Sequence, residues 1–136
     1  MSYEYFLQAH VYGEPQSIPT KNILEIFKDY IVEQGETYID LDFQDGNSCT
    51  IYLDTEEPNN NGFMVSRPCG GRLGECLYEV MLLGNFIFLE PDGINIIAVN
   101  ADVEAHLPED MIESLGKPVV AGDKESFLQL YNNNRE

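Results

Sequence analysis

Residues 72–100, RLGECLYEVMLLGNFIFLEPDGINIIAVN, leave this chain the fewest choices. Leu73, Leu77, Val80 and Met81 recur at helical spacing, and Cys76 and Leu83 widen the apolar stripe. Gly84 is the expected stop, because glycine accepts the left-handed conformation in which helices often end. Phe86–Leu89 is an apolar run rich in aromatic and β-branched residues, which favours a strand. Pro91-Asp92-Gly93 then supplies a turn: proline presets φ, aspartate bonds its own backbone and glycine takes positive φ. Ile94, Ile96 and residues 97–99 return as a second strand. A helix feeding a tight hairpin is predicted. The rest of the chain is expected to pack against it.

The flanking segments declare themselves by period. Residues 4–12 read as a strand, with Tyr3, Tyr5, Leu7, Ala9 and Val11 alternating with Glu4, Phe6, Gln8 and His10. Thr20 is the expected N-cap of a helix over residues 21–33, whose stripe is Ile23, Ile26, Phe27, Tyr30 and Ile31 and whose stop is Gln34-Gly35. Residues 38–43 and 48–54 alternate around an Asp45-Gly46-Asn47 turn. Ile39, Leu41, Phe43, Cys49, Ile51 and Leu53 point inward; Tyr38, Asp40, Asp42, Ser48, Thr50, Tyr52 and Asp54 point outward. The pair therefore has one dry face and one wet face. A polar connector over 56–62 leads to a third strand of that sheet at 63–66.

Beyond the central hairpin, residues 101–106 read as a crossing loop, and Leu107-Pro108 opens a helix over Glu109–Leu115 that Gly116 ends. Residues 118–121 form a short strand that begins with proline, so it is expected at a sheet edge. Asp123 caps a last helix over 124–131, with Phe127, Leu128 and Tyr131 toward the core, before a frayed tail at 132–136. The order is β-α-β-β-β-α-β-β-α-β-α. It predicts a single α+β domain over residues 1–136, a mainly antiparallel sheet covered by helices.

Charge narrows the function. Seven Lys plus Arg oppose 24 Asp plus Glu, a formal net charge of −17. Such a field favours cationic partners and opposes binding to nucleic acid or to an anionic membrane. The first ten residues lack the basic and long apolar regions of a signal peptide, and no apolar run is long enough to span a bilayer. Three cysteines at 49, 69 and 76 fit no disulfide framework. A reducing cytoplasm with free thiols is expected.

The acids also cluster along the chain. Nine lie between Lys28 and Arg67, and nine more between Arg72 and Lys117, with no lysine or arginine in either zone. The first zone includes the wet face of the hairpin. There Tyr38, Asp40, Asp42, Thr50, Tyr52 and Asp54, followed by Glu56 and Glu57, form the candidate partner-binding set. Tyrosine gives rigid contact area, and carboxylates give steering and specificity. The alternative is a merely solvated face. A binding role requires the negative charge to be gathered on one presented surface.

Other chemistry is thinly represented. Asp40 and Asp42 share a strand face at about 7 Å, a spacing that acid/base carboxylate pairs use. Such pairs, however, usually come from different elements with one member desolvated. Cys69, before Gly70 and a helix start, could pair with His106 as nucleophile and base, yet nothing in the sequence brings them together. The GGRLG stretch lacks the ending of a phosphate loop, and no cysteine–histidine spacing suits zinc. No catalytic residue, metal or cofactor is assigned. Arg67 and Arg72 are expected to pair internally with Glu75, Glu79 or sheet carboxylates.

Three passages carry a resemblance: the approach from Pro68 through the helix to Gly84, the FIFLEPDG hairpin, and LPEDMIESLGKPVV leading into the last helix. Over its C-terminal half the chain resembles the small acidic immunity proteins of bacterial toxin–immunity systems, of the contact-dependent inhibition or type VI secretion kind. The resemblance implies a cytoplasmic non-enzyme that binds a cognate toxin domain and blocks it. No contact residue is carried over, since these vary from pair to pair. A basic, nuclease-like toxin would suit the acidic surface, which would occupy its active or substrate-binding surface. Two alternatives stand beside it. One is an acidic nucleic-acid mimic or regulatory module that binds a host nucleic-acid-binding protein. The other is a small enzyme using Asp40 and Asp42, or Cys69 with His106. A homodimer remains compatible with the sequence.

Overall fold

The computed structural model describes residues 4–90 and 96–133. The Pro91-Asp92-Gly93 turn, Ile94, Tyr3 and tail residues 134–136 lie outside the described residues. In chain order the elements begin with β1 (Glu4–Val11), β2 (Glu14–Pro15), β3 (Ile18–Pro19) and α1 (Thr20–Phe27), which runs on into a 3₁₀ turn (Lys28–Tyr30). Next come β4 (Ile31–Gln34), β5 (Ile39–Asp42), β6 (Ser48–Tyr52), β7 (Asn59–Asn60), β8 (Gly62–Ser66) and α2 (Arg72–Met81). The remainder is β9 (Phe86–Leu89), β10 (Ile97–Ala98), a 3₁₀ segment (Ala101–His106), α3 (Glu109–Leu115), β11 (Val119–Val120) and α4 (Lys124–Asn133).

The main sheet has the order β11-β10-β9-β1-β8-β6-β5-β4, with β2 folded back on the end of β1. Its neighbours are antiparallel except β10 and β11, which run parallel. The fold is therefore α+β. Proline at 118 precedes β11, which lies at the sheet edge as its sequence predicts.

Side-chain alternation splits the sheet into two faces. Tyr5, Leu7, Ala9, Ile39, Leu41, Cys49, Ile51, Phe63, Val65, Phe86 and Phe88 turn to one side and are fully or almost fully buried. Ile23 and Phe27 of α1, Leu73, Leu77, Val80 and Met81 of α2, and Phe127 and Tyr131 of α4 close that core. Aromatic edges lock it: Phe88 lies 5.0 Å from Tyr5, 6.0 Å from Phe127 and 5.6 Å from Tyr131, each near perpendicular. The intervening Ile87 faces the other way, where it meets Ile96, Ala98, Val103 and Leu107, with Met111 and Ile112 of α3 alongside. Burial on both faces is why β9 reads as an unbroken apolar run. The 3₁₀ segment and α3 thus cover one end of the outer face.

Four expectations need correction. The helix predicted over 21–33 ends at Phe27, and residues 31–34 form the edge strand β4, paired with β5. Ile31 fits a helical stripe, but hairpin pairing with the following strand β5 outweighs that local period. Thr20 is the first helical residue rather than the cap; its hydroxyl donates to the Glu57 carbonyl at 2.6 Å. Gly84 is not in the left-handed region, and α2 is already closed at Leu82. Its small size serves packing instead: a Cβ there would sit 2.5 Å from Ile18 Cδ1 and 2.7 Å from Gln16 Oε1. The crossing loop at 101–106 is the 3₁₀ segment, started by Asn100, whose Oδ1 accepts from Asp102 N at 2.8 Å. The cap at Asp123 holds, with Oδ1 accepting from Ser126 N at 2.8 Å.

Candidate functional site

Among the described residues no α-helix covers the outer face of β8, β6 and β5 and the adjoining part of β1, in contrast to the inner face. Its residues alternate with the core positions: Phe6 on β1, Met64 and Ser66 on β8, Thr50 and Tyr52 on β6, Asp40 and Asp42 on β5. Phe6, Met64, Ser66 and Asp40 are half-buried, while Tyr52 and Asp42 are exposed. Five of the predicted partner-binding residues are assembled here. Asp40 stands opposite Thr50 in register, Asp42 lies two residues along β5, Tyr52 two residues along β6, and Tyr38 just before β5.

Hydrogen bonding gives these residues unequal freedom. Thr50 is only 7% exposed; its hydroxyl donates to Asp40 Oδ1 at 2.6 Å and accepts from Arg67 Nη2 at 3.0 Å. Thr50 is therefore a support within the face rather than a free contact. The Tyr38 hydroxyl donates to Glu33 Oε2 at 2.6 Å, and that bond pushes the phenol's pKa up. Asp42 Oδ1 accepts from Gln44 N at 2.9 Å and shapes the turn that follows. Asp45 accepts from Arg72 N and Asn47 N, and the Arg72 bond is the main reason its carboxyl titrates below the usual range.

The remaining predicted residues sit elsewhere. Asp54, Glu56 and Glu57 lie in the exposed connector after β6. Asn60 pins that connector, bonding both backbone groups of Asp54 and the Thr20 hydroxyl. Glu57 borders a shallow cleft with Pro19, Thr20, Lys21, Leu24, Thr55 and Pro58 at the start of α1. The eight-residue set is thus two neighbouring features, not one patch.

Arg67 and Arg72 are held internally, but not by the partners expected. Arg67 reaches Thr50. Arg72 Nη1 donates to the Phe43 carbonyl at 2.8 Å, and its guanidinium lies 6.0 Å from the Tyr30 ring centroid. Glu75 instead faces Lys124 at 3.9 Å. Among the described residues the other ion pairs are Lys28–Glu25 and Lys117–Glu104, so none touches the carboxylates of the open face. The expected gathering of the negative charge on one surface is not found, and a binding role must rest on the part of it that borders the open face. A second group, Asp102, Glu109, Asp110 and Glu113, lies over the far end of the sheet on the 3₁₀ segment and α3.

The enzyme alternatives find little support in this arrangement. Cys69 packs against the helix-covered core, whereas the segment bearing His106 covers the opposite face. His106 Nδ1 accepts from Tyr12 N at 3.1 Å, and its ring lies 4.4 Å from that of Tyr12. The pairing of Cys69 with His106 is therefore overturned: the sheet separates them. None of the three cysteines is in a disulfide among the described residues; burial pushes Cys76 up to about 12, and a bond to the Cys69 thiol, then burial, pushes Cys49 upward. Asp40 and Asp42 are each engaged by a neighbouring donor on an open face. Among the described residues no group of three or more His, Cys, Asp or Glu is placed to hold a metal ion.

The sequence signals for Phe6 and Met64 were outward positions on strands, which alone do not mark a site. Arg67 lies next to Thr50 only through the β6–β8 register, which the sequence does not print. Comparison with protein-family models, with curated proteins and with solved structures returns no match. No helix among the described residues is long and apolar enough to cross a membrane.

Proposed function

We propose that this chain is an inhibitory binding protein that neutralises a cationic, nuclease-like toxin domain in the cytoplasm by occupying its active or substrate-binding surface. The observation that carries the reading is the helix-free sheet face on which tyrosines and carboxylates lie together without a lysine ion pair among the described residues. Such a face offers contact area at its centre and negative potential at its rim, the division of labour expected of a specific interface. Long-range attraction would speed capture of a basic toxin before it acts. The resemblance to small acidic immunity proteins points the same way. The nucleic-acid mimic is less well supported, because the carboxylates form two separated groups rather than one elongated row.

The test is co-expression with the product of the adjacent reading frame, followed by co-purification at about 50 mM and about 500 mM salt. The expected result is a complex at low salt that weakens at high salt, together with loss of the partner's activity. Absence of a complex at both ionic strengths would overturn the proposal.

A further inference from the structure

Phe6, Met64 and Tyr52 stand side by side in register on three adjacent strands, β1, β8 and β6. Phe6 and Met64 are half-buried, and Tyr52 is 44% exposed. Among the described residues the two apolar clusters include none of the three. They form an apolar strip that no helix among the described residues covers. Asp40 and Asp42 lie one strand further on, beside β6.

We propose that this strip is the docking line of the partner, and that the partner is a cationic protein segment. It lays an aromatic or aliphatic side chain over Phe6, Met64 and Tyr52 and sets a lysine or arginine against Asp40 and Asp42. Charge selects the occupant. A second copy would bring another molecule of net charge −17 against the same carboxylates, so self-association here is opposed. A cationic segment removes that repulsion and covers apolar surface in one step. Arg67 and Thr50 prepare the polar side: Thr50 holds Asp40 by Oδ1, and among the described residues nothing bonds Asp40 Oδ2, which is left to accept from the partner. The apolar strip supplies the anchor and the aspartates the selection, since buried aromatic contacts dominate interface energetics and rim charges set preference. The cationic character of the partner rests on the inhibitory reading above; the place of contact does not.

The probe is a heptapeptide alternating lysine and tryptophan, titrated into the isotopically labelled protein and followed by backbone amide shifts. Shifts are expected to centre on β1, β8, β6 and β5. A lysine-only peptide of equal length is expected to bind about tenfold more weakly, and Tyr52→Ala to cost about tenfold in affinity for the mixed peptide. Asp110→Asn on α3 makes the same charge change as Asp42→Asn, but only Asp42→Asn is expected to weaken binding. Tyr52 is exposed, so its truncation leaves the fold intact, which a urea midpoint checks; Met64→Ala is the second variant. Shifts centred on α3, equal affinity for the lysine-only peptide, or indifference to both truncations would overturn the proposal. So would a dimer in sedimentation that Tyr52→Ala dissolves. If the adjacent gene product stays bound to both Tyr52→Ala and Met64→Ala proteins, the docking line fails and the inhibitory reading survives. If nothing basic co-purifies while the mixed peptide maps to this strip, the inhibitory reading fails and the docking line survives.

Discussion

The Tyr131 hydroxyl donates to the backbone carbonyl of Cys69 across 2.5 Å and so ties the last helix to the loop that leads into α2. Tyr131 is fully buried, with its ring 5.6 Å from Phe88 and stacked 6.0 Å from Phe127. Tyr131→Phe keeps the packing and removes the donor. A loss of about 0.5–1.5 kcal/mol is expected, the net contribution of one part-buried hydrogen bond. Urea unfolding followed by far-ultraviolet circular dichroism measures it; an unchanged midpoint would show the bond to be dispensable.

His10 sets an acid limit on stability. It is 8% exposed, its Nδ1 has no hydrogen-bond partner among the described residues, and burial lowers its pKa from 6.5. Below the unfolded value the unfolded chain binds a proton that the folded chain refuses. Stability therefore falls as pH drops from 6.5 toward the lower folded value, and recovers as pH rises. Asp45 and Asp123 are also depressed, so they add a further loss on the acid side, starting only near the carboxylate range. His10→Gln is expected to flatten the midpoint-versus-pH curve between about pH 7 and about pH 5, leaving the steeper fall below it. An unchanged slope in that window would show that His10 does not govern it.

Two glycines predict opposite outcomes for the same substitution. A Cβ at Gly62 would run into the Leu7 carbonyl oxygen of the neighbouring strand, while one at Gly122 meets nothing within 4 Å among the described residues. Gly62→Ala forces β1 and β8 apart and is expected to cost about 1–3 kcal/mol. Gly122→Ala, at a position without positive φ, is expected to add about 0.4–1 kcal/mol by narrowing the unfolded ensemble. Thermal midpoints of the two proteins, moving in opposite directions, check the pair.

Thiol reactivity separates a structural from a catalytic role for the cysteines. The thiolate is the attacking form, and the raised values of Cys49 and Cys76 keep both protonated near pH 8. In the folded protein neither is expected to be alkylated by iodoacetamide on a timescale at which urea-unfolded protein reacts completely. Mass spectrometry of the peptides reads the result, and rapid modification of native Cys76 would contradict it.

The elements that were legible are those whose residues all obey one period. Leu73, Leu77, Val80 and Met81 fixed α2; Ile39, Leu41, Cys49 and Ile51 fixed both strands of the acidic hairpin and which way they face. The edge strand β4 was hidden because Ile31 continues the stripe of α1, and only pairing with Leu41 across the hairpin ends that helix. The acids and tyrosines of the candidate face were visible as outward positions. Their inequality was not: burial of Thr50 depends on Arg67, whose approach follows from the Thr50–Ser66 register. Glu57 looked continuous with the hairpin, but the connector's bonds to Thr20 carry it to the start of α1.

Strand β1 occupies the middle of the sheet between β8 and β9, neither of which adjoins it along the chain. Neither neighbour exists until residues 62–66 and then Phe86–Leu89 have been synthesised. Apart from the short contact of its end with β2, β1 therefore waits for partners far along the chain, first β8 and then β9. Assembly is necessarily late and long-range, which slows it and lengthens exposure to chaperones and to mispairing.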